Sequence, residues 1–178
     1  MKRILLLLAC LAGLTFTGCA DTYLLPATDQ EGIKLDPEKS IYISSPEDGR
    51  YGSIRYLNSG TMVARILQAE FVKYSTSVDI GDRVQTFKGS LRQASEKGHG
   101  YLCFPTILEW EDRGSRWSGA RDTVSVKITV VDLLSQETVR DVVITGKSGF
   151  GFFTGEYPQD LLPEPVEEFV SSMYEDDK

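Results

Sequence analysis

Residues 123–134 read TVSVKITVVDLL, a stretch in which apolar and polar side chains alternate. The apolar positions are Val124, Val126, Ile128 and Val130. This alternation is typical of a β-strand with one face buried and the other in water. A second long strand is predicted before it, at residues 100–111, and a third after it, at residues 138–147, beyond a turn at 135–137. Together the three strands predict an antiparallel meander.

Five further elements flank the meander, each predicted from hydrophobic periodicity and turn residues. They are a strand at 40–45, a helix from the N-cap Ser59 to about residue 74, a strand at 77–80, a helix centred on 91–97, and a helix at 160–174 broken near Pro163 and Pro165. The order β-α-β-α-β-β-β-α predicts an α/β fold. We expect a two-layer sandwich, in which a mixed, mostly antiparallel sheet carries the helices on one face.

The N-terminus has the organisation of an export signal. Lys2 and Arg3 precede an apolar run at residues 4–16, which is too short to cross a bilayer but suits a signal peptide. The run ends in Thr17-Gly18-Cys19, which resembles a bacterial lipobox. We therefore predict a signal peptide at 1–18, a lipidated N-terminus and tether at 19–39, and one α/β periplasmic domain at 40–178. The alternatives are an ordinary secretory signal cut elsewhere and a buried N-terminal helix.

Lipidation at Cys19 implies a location and a first partner. Acyl chains, palmitate among them, would hold the protein to a membrane, because more than one chain gives stable anchoring. An Asp directly after the lipid-bearing cysteine usually retains lipoproteins at the inner membrane. Here Ala20 takes that place and Asp21 comes one position later. The resemblance to sorted lipoproteins thus implies the periplasmic face of the outer membrane.

Composition excludes several classes of function. The 178 residues carry a formal charge of -7, with a pI near 4.8, whereas nucleic-acid binding needs a basic surface. Only one histidine is present, so most histidine-rich metal sites are excluded. No nucleic acid, metal or cofactor is predicted. Once the signal is removed and Cys19 acylated, Cys103 is the remaining thiol and is expected to be a buried apolar residue.

The residues that could support catalysis have simpler interpretations. His99 lies between two glycines at a helix end, and Glu109 and Glu111 share one face of a strand that is expected to be solvated. Gly146-Lys147-Ser148 lacks the first glycine of a phosphate-binding loop, because Asp141 stands at that position, five residues before Gly146. We therefore expect no enzymatic activity and keep a hydrolase using Glu109, Glu111 or His99 as an alternative.

The hairpin loop at residues 110–121 is the candidate partner-binding surface. It contains both tryptophans and three arginines, and these residue types contribute most of the binding energy at interfaces. The candidate residues are Trp110, Arg113, Arg116 and Trp117. The alternative is that Trp110 caps the sheet and Trp117 folds back onto it. A second candidate surface is the phenylalanine-rich segment at 150–155, which could instead cover the sheet.

Two resemblances accompany these patterns. The element order and the hairpin of Val130-Val131-Asp132 with Glu137-Thr138-Val139 resemble the N-terminal domain of TolB, the curli secretion lipoprotein CsgG and the penicillin-binding-protein activator LpoB. The segments at 46–52, 104–119 and 159–163 resemble a family of small Gram-negative outer-membrane lipoproteins of unknown function. The first resemblance implies a fold, whereas the second implies a location and supplies no catalytic residues.

These observations predict a non-enzymatic periplasmic binding or assembly accessory, anchored to the outer membrane. Its partner would be an envelope protein or the glycan of peptidoglycan, since tryptophan stacks on both. The alternative is an oligomeric secretion or pore component resembling the curli lipoprotein. A pore needs strands that leave the domain to cross the membrane, whereas the predicted strands are all used in the sheet.

Overall fold

A computed structural model of the chain describes residues 22–24, 33–112, 121–148 and 157–175. Eight strands are present in this part of the chain: β1 Thr22–Leu24, β2 Ile41–Ser45, β3 Arg50–Tyr51, β4 Ile54–Arg55, β5 Val78–Val84, β6 Tyr101–Glu111, β7 Thr123–Asp132 and β8 Thr138–Lys147. The helices are α1 Ser59–Phe71, α2 Phe87–Glu96, a 3-10 helix Pro158–Leu161 and α3 Pro163–Ser172.

Six of the strands form one mixed sheet in the order β1-β8-β7-β6-β2-β5, and β3 and β4 form a separate hairpin. Strand β2 runs parallel to β5 and β6, whereas β6, β7, β8 and β1 are antiparallel neighbours. The predicted mixed α/β fold, with its antiparallel meander and three packed helices, is confirmed.

The larger core lies between one face of the sheet and helices α1 and α3. The inward side chains of β7 point into it, and Val124, Val126, Ile128 and Val130 are all buried there as the alternation predicts. From the helices, Leu67 and Phe71 of α1 and Phe169 and Val170 of α3 fill the same layer.

Helix α2 lies on the opposite face, so the expectation that all helices share one face is wrong. A smaller core joins Ala94 of α2 to Tyr42 and Leu102, whose strand neighbours Ile41 and Cys103 belong to the larger core. The reason is the strand order. Connections between parallel strands are right-handed, and the chain passes from β2 out to β5 through α1, then back across β2 to β6 through α2. The two crossovers have the same hand but run in opposite directions across the sheet, so α1 and α2 lie on opposite faces.

Two segments predicted without regular structure contribute to the fold. Residues 22–24, predicted as part of the tether, form β1 and pair with β8, so that Thr22 lies opposite Lys147. Leu35, also within the predicted tether, is buried in the larger core. The turn-rich segment after β2 contains the β3–β4 hairpin.

Candidate functional site

The loop predicted at residues 110–121 begins later in the structure, because Trp110 and Glu111 are the last two residues of β6, at one particular end of the sheet. We call this the carboxyl end, because β2, β5 and β6 all finish there, and it includes the β3–β4 hairpin. Strand β6 is longer than β2, so its last residues extend beyond the point at which β2 stops. The hairpin occupies the space beside this extension.

Trp110 itself is a core residue. Its side chain is only 3% exposed and belongs to the larger hydrophobic core. Gly49 packs directly on it, because a Cβ atom added at Gly49 would lie 2.5 Å from the Cβ of Trp110. Of the two interpretations offered for Trp110, the fold therefore matches the one in which it caps the sheet.

The other predicted site residues lie outside the described residues. They are Cys19, Arg113, Arg116 and Trp117, together with the phenylalanine-rich segment at 150–155. Lipidation at Cys19 and partner binding by the loop therefore stay predictions. Both ends of that loop are nevertheless fixed, since Glu111 pairs with Thr123 at the carboxyl end of the sheet.

The β3–β4 hairpin is held in place by hydrogen bonds at its base. Ser59 is the first residue of α1 rather than its N-cap, and its Oγ accepts from the amide of Gly49 at 2.8 Å and donates to the carbonyl of Tyr56 at 2.7 Å. The N-cap position is occupied by Asn58, whose backbone is left-handed with φ 70°. Ser59 therefore ties the segment before the hairpin to the segment after it.

A carboxylate from the preceding loop replaces the missing cap. Asp48 accepts a hydrogen bond from the amide of Gly60 at 3.1 Å, and its second oxygen lies 3.3 Å from Arg55 of β4. The Asp48 side chain thus accepts a hydrogen bond from a free amide in the first turn of α1, and it also holds the hairpin through Arg55. The hydroxyl of Tyr56 lies 3.3 Å from both the amide and the carbonyl of Asp112, just beyond β6.

This rigid hairpin presents apolar side chains to solvent. Tyr51 is 44% exposed, Ile54 55% and Leu57 71%. Four more of the large apolar side chains that the structure describes as exposed lie near the same end: Met62 in the first turn of α1, Val84 at the end of β5, Phe87 at the start of α2 and Leu108 in the extension of β6. Exposed apolar side chains on a fixed hairpin are typical of an interaction surface.

His99 lies at the other end of the sheet, in a cluster that links strand starts. Its Nδ1 lies 3.1 Å from Ser40 Oγ, and its Nε2 lies 3.3 Å from Asp79 Oδ2. The ring packs at a tilt against Tyr42, with 5.5 Å between centroids. Burial lowers the pKa of His99, although the nearby Asp79 opposes this effect. The imidazole is therefore mostly neutral at pH 7.

The row of Ser40, His99 and Asp79 has the residue types of a catalytic triad but a structural arrangement. In such triads the serine bonds to Nε2 and the carboxylate to Nδ1, whereas here the two partners are exchanged. The imidazole side chain is also only 5% exposed. The carbonyl of Ser40 accepts hydrogen bonds from the amides of Gly100 and Tyr101, so this residue joins the starts of β2 and β6.

The remaining catalytic candidates have structural surroundings. Cys103 is fully buried, and burial raises its pKa, which opposes formation of a reactive thiolate. Glu109 is half-buried and Glu111 is buried, which differs from the expected solvated face. The hydroxyl of Ser148 accepts from the amide of Asp122 at 2.9 Å, where it closes the end of β7 and β8.

Two further features are absent from the described residues, a metal-binding cluster and a membrane-spanning helix. No group of three or more histidine, cysteine, aspartate or glutamate side chains in the described ranges could hold a metal ion. Within the same ranges, no helix has the length and apolar character needed to cross a membrane.

The sheet, the helices on both of its faces and the apolar hairpin define a small mixed α/β domain with one exposed apolar end. The chain belongs to the family described as "Domain of unknown function (DUF4823)", whose model matches residues 33–173. Comparison with curated proteins finds no match.

Solved structures share the fold at low sequence identity. PelC from Paraburkholderia phytofirmans, a dodecamer, matches with a TM-score of 0.60 and 14% identity over 89% of this chain and 100% of its own. Lipoprotein GNA1162 from Neisseria meningitidis matches with a TM-score of 0.52 and 16% identity over 76% and 98%. The LpoB C-terminal domain from Escherichia coli reaches 0.42 and 8% over 62% and 82%, which is too distant to support a functional argument.

Sequence reasoning missed Asp48 and the β3–β4 hairpin as parts of this surface. The segment at 46–52 is rich in turn residues, a composition that predicts a loop. Tyr51 and Ile54 could have indicated this surface, since large apolar residues are unusual in a solvent-exposed loop. Asp48 gave no local signal, because the amide that it caps lies twelve positions further along the chain.

Proposed function

We propose that this protein is a lipid-anchored accessory of the outer membrane that acts by binding and not by catalysis. The observation that carries the proposal is the concentration of exposed apolar side chains at the carboxyl end, on a hairpin held by Asp48, Ser59 and Tyr56. A fixed apolar surface favours recognition, because little conformational entropy is lost when it binds.

The anchor is supported by the lipobox at Cys19 and by the fold shared with a protein described as a lipoprotein. Acylation at Cys19 would place the domain on the periplasmic face of the membrane. The non-enzymatic part of the proposal is supported by the surroundings of His99 and Cys103, both of which are used inside the fold.

The partner proposed from the sequence is an envelope protein or a glycan, contacted by Arg113, Arg116 and Trp117. The fold supports a contact at the carboxyl end of the sheet, because the loop that contains these three residues starts and ends there. Trp110 is left out of the proposed contact surface, since its side chain is buried.

A photo-crosslinking residue in place of Trp117 tests this proposal in living cells. We expect adducts with one envelope component, and we expect them to be lost when Arg113 and Arg116 are changed to Ala. The matched control is the same crosslinker in place of Leu134, which is exposed at the opposite end of the sheet. Equal adducts from both positions, or adducts that do not depend on the arginines, would contradict the proposal.

The second candidate is an oligomeric envelope component. It is favoured by the likeness to PelC, whose solved structure is a dodecamer and whose whole length this fold covers. Crosslinks from position 117 only to other copies of the chain, together with a native mass of several chains, would select this candidate.

A further inference from the structure

Strand β1 connects the predicted lipid anchor to one end of the domain. Thr22 lies opposite Lys147 in β8, Lys147 lies opposite Thr123 in β7, and Thr123 lies opposite Glu111 in β6. Glu111 is the last residue of β6. The start of β1 is therefore at the carboxyl end of the sheet, not at the end that contains His99.

The length of chain between the lipid and the sheet is short. Cys19 precedes Thr22 by three residues, and a fully extended chain spans at most about 11 Å over that distance. If β1 were not paired, the first buried residue would be Leu35, sixteen positions after Cys19, and the reach would be about 55 Å. Pairing of β1 with β8 thus holds the carboxyl end close to the point where the acyl chains enter the bilayer.

The same end carries most of the apolar exposure, which is an independent observation. Seven of the eleven large apolar side chains that the described residues expose lie there, including Tyr51, Ile54 and Leu57 on the hairpin. Aromatic and aliphatic side chains of this kind favour the boundary between headgroups and acyl chains. Arg50, beside Tyr51, is also exposed and suits contact with lipid phosphates.

The opposite end has a different character. Leu134 is exposed in the turn between β7 and β8, but its surroundings are polar: Asp132 accepts from its amide and pairs with Lys39 at 3.0 Å. Nothing in the register of β1 brings this end toward the anchor.

We propose that the carboxyl end of the sheet lies against the phospholipid surface of the membrane that holds the acyl chains, with the β3–β4 hairpin as its contact. The proposal rests on the acylation of Cys19 given under the proposed function. The domain then stands on the membrane in one orientation, with the turn that contains Leu134 directed into the periplasm. The loop between β6 and β7 starts and ends at the membrane-facing end, so the partner that it meets under the proposed function is an envelope protein at the membrane surface and not the glycan.

Depth-dependent fluorescence quenching tests the orientation. The full-length acylated protein is inserted into vesicles of phosphatidylethanolamine and phosphatidylglycerol, with the fluorophore NBD on Leu57→Cys or, as the matched control, on Leu134→Cys. Cys103 is buried and stays unlabelled. Nitroxide-labelled phospholipid should quench the probe at position 57 several-fold more than the probe at 134, whereas aqueous iodide should show the reverse preference.

Flotation of the same samples separates the two ways in which the proposal can fail. A chain that does not float with the vesicles lacks its anchor, and both the proposed function and the orientation are then wrong. A chain that floats but gives equal quenching at the two positions keeps its anchor and overturns the orientation alone. A probe at position 57 that is shielded from both quenchers in an oligomeric sample would identify the hairpin as a contact between copies and would also overturn the orientation.

Discussion

Gly49 and Trp110 form a pair in which each residue restricts the other. Trp110 fills the core beneath the hairpin, and only a residue without a side chain fits at position 49. Neither restriction was predictable from the sequence, because tryptophan is as typical of an interface as of a core.

Replacing Trp110 with Ala should lower the free energy of unfolding by about 3–5 kcal/mol, because a large buried side chain is removed and a cavity remains. Urea unfolding followed by circular dichroism measures the change. Leu134→Ala is the control, since that side chain is 88% exposed and its loss should matter by no more than about 0.5 kcal/mol. Equal stability of the two variants would mean that Trp110 is not a core residue.

His99 predicts a dependence of stability on pH. Burial lowers its pKa in the folded protein, with Asp79 opposing, so the unfolded chain binds a proton more readily. Stability rises with pH wherever the unfolded state binds more protons. The free energy of unfolding should therefore fall as the pH drops from the unfolded value of about 6.5 toward the lower folded pKa.

The measurement is urea unfolding at several pH values between 7.5 and 5.5, for the parent and for His99→Asn. Because the chain has only this histidine, the variant should have a flatter profile in that interval. An unchanged slope in the variant would show that other groups produce the effect.

At the scale of elements, most strands and helices were predictable and the connections between them were not. The meander strands match closely, since β7 runs over Thr123–Asp132 and β8 over Thr138–Lys147. Such strands can be predicted from alternating apolar and polar side chains, because one face of each strand is buried and the other is more exposed. Strand β1 has no such pattern over three residues, and its pairing depends on a strand at the far end of the chain.

Asp48 should stabilise both α1 and the hairpin. Asp48→Ala removes the acceptor for the amide of Gly60 and the partner of Arg55, so we expect a loss of about 1 kcal/mol in the free energy of unfolding. Glu47→Ala is a matched control, because it removes an adjacent, exposed carboxylate. A loss of the same size in both variants would attribute the effect to charge alone.

The pairing of β1 with β8 can be tested with a disulfide. Thr22→Cys combined with Lys147→Cys places thiols on directly opposed residues of an antiparallel pair, a separation that a disulfide can span. Mild oxidation should give one intramolecular bridge, seen as a shift in gel mobility. The control combines Thr22→Cys with Glu137→Cys, which lies one residue before β8 begins. A similar yield of bridges in this control would contradict the register.

At the scale of the whole molecule, the distribution of helices over the two faces was beyond the sequence. The eight predicted elements are all present in the predicted order, yet the face on which a helix packs depends on where its two flanking strands lie in the sheet. That position is set by β2 pairing with both β5 and β6. These contacts join distant parts of the chain, and no local periodicity reports them.

The rate of amide hydrogen exchange should reflect the central position of β2 and β6 in the sheet. Strands β2 and β6 are covered on both faces by the two cores and have neighbours on both sides. We expect the amides of Ile43 and Leu102 to exchange most slowly and those of β5, at the edge of the described sheet, at least tenfold faster. Mass-spectrometric exchange of peptides from these strands measures the order, and faster exchange in β6 than in β5 would contradict it.

The register of β1 also has a consequence for the order in which the protein folds. Thr22 and Lys147 are 125 positions apart, so this pair closes the longest loop among the strand contacts. The meander from β6 to β8 closes much shorter loops and has the lower entropic cost of formation. Under the proposed export with the N-terminus first, β1 emerges early, and the residue that pairs with Thr22 follows 125 positions later. Until β8 has emerged, β1 has no strand to pair with, so under that proposal its attachment to the sheet follows export of the chain through residue 147.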